Sequence, residues 1–277
     1  MIRRNATERR SLEESLELCR NAGIMHLDYL PPIKEDDYLE TAKRQREVIE
    51  SKGMTVHQTH SPFFRYQKNG FQEFPKAAVR SVLASAAIGA KFMVIHADEY
   101  RPEGTFDQED VLRHTVEYLT PIMELCQKHG IRLAVENLFE EDLNSGIRSR
   151  YTSYPEEVLA VINSFPGTGI GCCLDTGHLN VSCREKDYIL NLEKLAPYVV
   201  CTHIHDNCGW DLHKPAYFGS IPWEDVVKTL RKAGYTGDWT WEFVYERVPD
   251  EVYPAYLNMA KAFGDHLVKQ FLDAPTR

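Results

Sequence analysis

Apolar positions along the chain follow two periods that take turns, one of 3.6 residues and one of 2. Leu12, Leu16 and Cys19 form a stripe at helical spacing behind the capping box Ser11-Leu12-Glu13-Glu14, and Gly23 stops that helix. The alternation predicts strands over 24–30, 54–59, 91–96, 131–136, 170–175, 199–205 and 238–243. It predicts further helices over 36–52, 73–88, 107–129, 155–163, 185–196, 222–233 and 251–270. Several strands, such as 91–95 and 131–135, are near-continuous apolar runs, which suits strands covered on both faces. Their starts lie 29 to 40 residues apart, the length of a strand–helix unit. Repeated units of that length make a parallel sheet with right-handed crossovers.

No Gly/Pro/Ser-rich linker divides the chain, so residues 1–277 are expected to form one domain. An open nucleotide-binding sheet would carry a Gly-rich turn, and neither GxGxxG nor GxxxxGK[ST] is present. The 277 residues match the ~250 typical of a (β/α)8 TIM barrel, which is the expected fold. The pattern holds eight helices but seven strands. Residues 1–10 offer Met1 and Ile2 as their only large apolar side chains, so the first strand is expected to be degenerate or missing. A partial strand, a neighbouring chain or a loop would then cover the seam between 24–30 and 239–243.

Composition narrows the function. Apolar residues make up 43% and charged residues 26%, an ordinary globular balance. Acidic residues outnumber basic ones, 41 to 32, and a net charge of −9 argues against gripping a nucleic-acid backbone. Seven cysteines without a CxxC suit a reducing compartment, and the expected location is cytoplasmic. The segment MIRRNATERR lacks the apolar core of a secretory signal, and no charge-free apolar run is long enough for a membrane span.

The chemistry lies where the strands stop. Successive predicted strands end in His60, His96, Glu136, Asp175 (with His178 three residues on), His203 and His205, and Glu242. A barrel brings all these ends to one mouth. Carboxylates clustered there would repel one another, and a divalent cation removes that conflict. The mixed Glu, Asp and His donors suit Mn²⁺ or Zn²⁺ better than Ca²⁺. Other features read as structural. His26 and His57 are hydrogen-bonded residues, 43–47 is a solvated helix face, Trp239 and Trp241 pack, and Cys172-Cys173 act as small hydrophobes.

The segments AVEN (134–137), CLDTGHLN (173–180), THIHDN (202–207), GSIPW (219–223) and TWEF (240–243) resemble the xylose isomerase-like TIM barrels. That superfamily includes sugar phosphate isomerases and epimerases, ketose 3-epimerases, inosose dehydratase and endonuclease IV. The resemblance implies that Glu136, Asp175, His203 and Glu242 are the shared metal ligands, with His203 preferred to His205. It also implies that His60, His96, His178, Asp211 and His213 match the further ligands of the three-zinc endonuclease IV branch. The loop between His203 and Gly219 is short for that branch. The ketose 3-epimerases carry an arginine six residues after the metal histidine, where this chain has Gly209.

The expected function is a divalent-metal-dependent isomerase or epimerase of a sugar, sugar phosphate or polyol, working by proton transfer through a metal-stabilised enediolate. Glu136 and Glu242 are the expected catalytic pair, one taking the proton and the other returning it. His60, His96, His178, His205, Asp211 and His213 are the expected substrate contacts, with Asp28 and Asp142 weaker ones. No separate organic cofactor is expected, and a homo-oligomer is allowed. The alternatives are an endonuclease IV-type zinc phosphodiesterase acting on abasic DNA, or a non-catalytic relative that binds metal or sugar.

Overall fold

Strand and helix periods resolve into one parallel sheet wrapped by helices, and a computed structural model describes residues 2–4, 10–63, 74–97, 101, 104–140, 146–183, 188–243 and 248–276. The strands are β1 (Ile2–Arg4), β2 (His26–Tyr29), β3 (Thr55–His60), β4 (Phe92–Ile95), β5 (Arg132–Glu136), β6 (Gly171–Asp175) and β7 (Val199–His203). They pair in chain order, all parallel. The helices are α1 (Leu12–Asn21), α2 (Tyr38–Ser51), α3 (Phe74–Ile88), α4 (Gln108–His129), α5 (Pro155–Asn163), α6 (Thr176–Ser182), α7 (Tyr188–Leu195), α8 (Trp223–Lys232) and α9 (Tyr253–Asp273). The architecture is that of a TIM barrel. Among the described residues no helix is long and apolar enough to cross a membrane.

The first strand exists in degenerate form. Its three residues pair along their whole length with β2, Ile2 with Leu27 and Arg4 with Tyr29. The eighth strand is weaker than its alternation predicts. Trp241 makes a single parallel bridge to Ile204, whose N–H donates to Thr240 O at 2.6 Å. Among the described residues no ladder joins this segment to β1. Alternation reports which side chains are buried, here Trp239, Trp241 and Phe243, and says nothing about whether the backbone has a partner. Among the described α-helices, α6 is the one the periodicity does not predict. It follows β6 without a loop, capped by Asp175, whose side chain accepts from His178 N at 2.7 Å.

Two cores sit on the two faces of the sheet. Between sheet and helices, Leu133, Val135, Leu174, Val158 and Leu192 are fully buried in one cluster, and Leu16, Leu27, Ile49 and Leu257 in another. Each such side chain contributes about 1.5–3 kcal/mol. Inside the barrel the residues are small: Val94, Ala134, Cys173 and Cys201. Above them Gln58 spans the interior, its amide reaching Asp28 Oδ2 and Thr202 O at 3.4 Å each and its oxygen accepting from Thr240 at 3.1 Å. This plug closes the barrel beneath the polar rim.

Candidate metal centre

Alternation places the rim. On each strand the residue two beyond an interior position reaches the C-terminal mouth: Gln58 then His60, Val94 then His96, Ala134 then Glu136, Cys173 then Asp175, Cys201 then His203, Thr240 then Glu242. The structure gathers these donors, with residues from the following loops, into three groups whose ligand atoms lie within 4.8 Å of one another. They are Glu136, Asp175, His203 and Glu242; His60, His96 and Glu136; and His178, His205, Asp211 and His213.

The histidine hydrogen bonds show which nitrogen each group uses. His203 Nε2 is 3.2 Å from Asp28 Oδ2 and donates to it. Its Nδ1 therefore turns a lone pair toward Glu136 Oε1 at 3.1 Å and Glu242 Oε2 at 3.0 Å. His60 Nδ1 donates to Ser61 O at 2.6 Å, so the lone pair on Nε2 faces Glu136 Oε2 at 3.0 Å. His178 Nδ1 donates to Asn137 O at 3.0 Å and His213 Nδ1 to Glu242 O at 2.9 Å. Their Nε2 atoms face Asp211 Oδ1 at 3.8 and 3.1 Å. A backbone carbonyl or outer carboxylate fixes each ring, and an acceptor is left pointing at an acceptor. Such pairs are stable only with a cation or an added proton between them.

The titrations of the protein groups show the same tension. Burial opposes ionisation of Glu136, yet His203, His96 and His60 outweigh it and hold the carboxyl well below the usual range. Burial likewise opposes charge on His203, but Glu136 and Asp28 carry it up to about 10. Burial keeps His205 below its ordinary value despite Asp175. Asp175 Oδ2 is buried and has no hydrogen-bond partner among the described residues. These donors fit a divalent cation, and the mixture of imidazole and carboxylate suits Mn²⁺ or Zn²⁺.

Several neighbours are structural. A Cβ on Gly177 would lie 1.8 Å from His205 Cε1, so only glycine lets that ring reach its stack on His213, 4.0 Å between centroids. Asp206 accepts from Asn207 N at 2.8 Å, Ile221 N at 3.3 Å and Trp223 Nε1 at 2.9 Å, which accounts for the GSIPW segment. Asp28 lies behind His203 and away from the pocket. Asp142 is outside the described residues.

Over the donors opens a cavity of about 180 Å³, walled by Phe63, Phe139 and Arg150 and floored by Glu136, His178, Asp211, His213 and Glu242. Arg150 is absent from the sequence reading because it sits in the loop after β5, where no period marks it.

The family model described as "Xylose isomerase-like TIM barrel" matches residues 9–263. An uncharacterized protein of Methanocaldococcus jannaschii, MJ1311, is 24% identical over 185 residues, 64% of this chain and 61% of that protein. The matched region thus spans about three fifths of that relative's length. A D-tagatose 3-epimerase-like protein superposes with a TM-score of 0.68 at 19% identity, covering 90% of this chain and 88% of that one. The IolI protein with a bound zinc atom superposes with a TM-score of 0.75 at 16% identity, covering 100% and 99%. At these identities the superpositions establish the fold.

Proposed function

Because the chain belongs to the xylose isomerase-like TIM barrel family, we propose that it is a divalent-metal-dependent isomerase or epimerase of a small sugar or polyol. The observation that carries the reading is the carboxylate pair Glu136 and Glu242, both within 3.1 Å of His203 Nδ1 on the floor of the pocket. A divalent cation held by Glu136, Asp175, His203 and Glu242 would supply Lewis acidity where charge develops on substrate oxygens. Glu242, the more exposed of the two, takes the proton next to the carbonyl. Glu136 returns a proton on the other face. His178, Asp211 and His213 hold hydroxyls, and the rings of Phe63 and Phe139 exclude water from the exchange.

Replacing Glu136 or Glu242 with Gln keeps an oxygen donor and removes the base. Each variant should lose about 10²–10⁴-fold in turnover. The measurement is solvent-deuterium uptake beside product formation on a ketose panel headed by D-fructose. Unchanged turnover in both metal-loaded variants would exclude the two-glutamate mechanism, and no metal-dependent uptake in the parent protein would point to a non-catalytic relative.

The two further donor groups favour a second reading, a zinc phosphodiesterase of the endonuclease IV type. Three ions per chain and incision of abasic-site DNA would support it. One ion and no incision would leave the sugar chemistry.

A further inference from the structure

The barrel has a second mouth. At the N-terminal ends of the strands, opposite the donors, lies a cavity of about 440 Å³. It is larger than the one over the donors and falls within the range of about 300–1,000 Å³ that small molecules occupy. The alternation that builds the rim also reaches this end. The interior column of β5 runs Arg132, Ala134, Glu136, and that of β4 runs Phe92, Val94, His96. From Arg132 to Glu136 is about 13 Å of strand. The buried layer of Val94, Ala134, Cys173 and Cys201 lies between, so the two cavities are distinct.

The lining carries the basic side chains of His57, Lys91 and Arg132 and, among the described residues, no carboxylate. The three stand side by side on neighbouring strands: Lys91 N donates to His57 O at 2.9 Å and Arg132 N to Lys91 O at 2.8 Å. Arg132 Nε donates to Gly169 O at 2.6 Å. Its terminal nitrogens and Lys91 Nζ have no protein partner among the described residues. On other surfaces Arg20, Lys194 and Lys261 each pair with an acid, in a chain of 41 acids and 32 bases. Like charges on adjacent strands cost stability unless an opposite charge joins them. The carbonyl end of α8, which borders the cavity, has Arg231 and Lys232 in its own last turn and does not call for this pair. Asp238 is outside the lining and pairs with His57 Nδ1. Burial, Lys91 and His26 hold the His57 imidazole down at about 4, so it is neutral and Lys91 and Arg132 are the two charges.

We propose that this N-terminal cavity binds a small organic phosphate monoester. Two adjacent cations match the charge of roughly −1.5 to −2 that a phosphate monoester carries near neutral pH. One is a compact ammonium and the other a planar fork that grips two oxygens at once. Other parts of the wall are Phe92, Ile170, Pro197, Tyr198 and Tyr235, flat and apolar surfaces for the organic body of the ligand. Inorganic phosphate would leave those surfaces uncovered, and a carboxylate would meet only half of the charge.

The test is calorimetric titration of the Mn²⁺-loaded protein with phenyl phosphate, beside phenol, inorganic phosphate and benzoate as partial copies of it. Phenyl phosphate should bind tightest of the four. Lys91→Met and Arg132→Met should each weaken it by about 10- to 100-fold, the range of a charge-assisted bond. Lys91→Glu should weaken it further, and raising the salt concentration should weaken it in the parent. A phosphate bound to metal at the other mouth would be indifferent to these changes, because Lys91 and Arg132 stand at the far ends of their strands. No binding of phenyl phosphate, or binding that is unchanged in Lys91→Met and Lys91→Glu, overturns the proposal. Inorganic phosphate as tight as phenyl phosphate overturns the assignment to an organic ligand, and benzoate as tight overturns the assignment to phosphate. Lys91 is exposed and its charge has no protein partner among the described residues, so its variants decide the matter should Arg132→Met not fold.

Discussion

Two long loops build the walls of the mouth, and each is organised around one buried carboxylate. The loop after β7 turns on Asp206, which is fully buried and satisfied by N–H groups alone, from Asn207, Ile221 and Trp223. The loop after β5 turns on Glu140, which combines the N–H groups of Ser149 and Arg150 with the Arg148 cation. The first delivers Asp211 and His213 to the third donor group; the second delivers Arg150. A carboxylate satisfied by neutral donors fixes a loop without importing further charge. A carboxylate paired with an arginine draws in more charged groups, here a second acid in Glu157. The two loops should therefore fail differently when their hubs are altered.

The largest effect is expected at Asp206. Alanine there removes the acceptor for three donors at once, among them the buried Trp223 indole. Losing a buried acceptor shared by several N–H groups should cost about 3–5 kcal/mol, read by urea unfolding. A Cβ built on Gly219 would lie 2.2 Å from Asp206 Oδ1, so the carboxylate already fills the space beside that glycine, and the longer side chain of Asp206→Glu should also destabilise despite keeping the charge. An Asp206→Ala protein as stable as its parent would show that neighbouring loop packing, rather than this carboxylate, holds the wall.

Glu140→Gln is the matching change in the other loop and should be milder. One oxygen remains for Arg148 and Arg150 N, while Ser149 loses both of its bonds to the second oxygen. About 2 kcal/mol is the expected loss. The larger consequence should be functional, since the loop would no longer hold Arg150. Turnover should fall in Glu140→Gln while metal stoichiometry stays at the parent value. A fall in metal stoichiometry instead would mean that the loop supports the Glu136 donors more than the arginine.

The rim donors were legible in the chain and the loop hubs were not, for a physical reason. A strand repeats every two residues, so His60, His96, Glu136, Asp175, His203 and Glu242 announce their common face through the apolar residues two positions before or around them. Their partition into three groups depends on distances between strands and loops, which no period encodes. Helix α6 carried a readable signal, an Asp N-cap at 175, masked because the same residue reads as a ligand. Glu140, Arg148 and Arg150 are loop residues whose meaning is their contacts. The eighth strand shows the converse error, with strong alternation at 239–243 but only one bridge among the described residues.

The smallest effect is expected at Glu157, where the charge-rich loop makes its own test. Arg148 serves two buried acids, so the triad holds one negative charge too many, and burial raises the Glu157 carboxyl above its ordinary value despite Arg148. A raised carboxyl means that the folded protein holds the proton more tightly than the unfolded chain. Below the ordinary Glu range both states are protonated and the difference contributes fully to stability; it is lost as pH rises through the folded value. Gln at 157 cannot ionise and escapes that loss, yet it keeps one oxygen for either Arg148 or Tyr154 N. Relative to the parent, Glu157→Gln should therefore gain in urea unfolding between pH 5 and pH 8, by roughly 1 kcal/mol or less at the upper end. A Glu157→Gln protein that loses ground as pH rises would mean that the Arg148–Glu157 pair outweighs the burial of its second acid, and the contrast between the two loops would then rest on Glu140 alone.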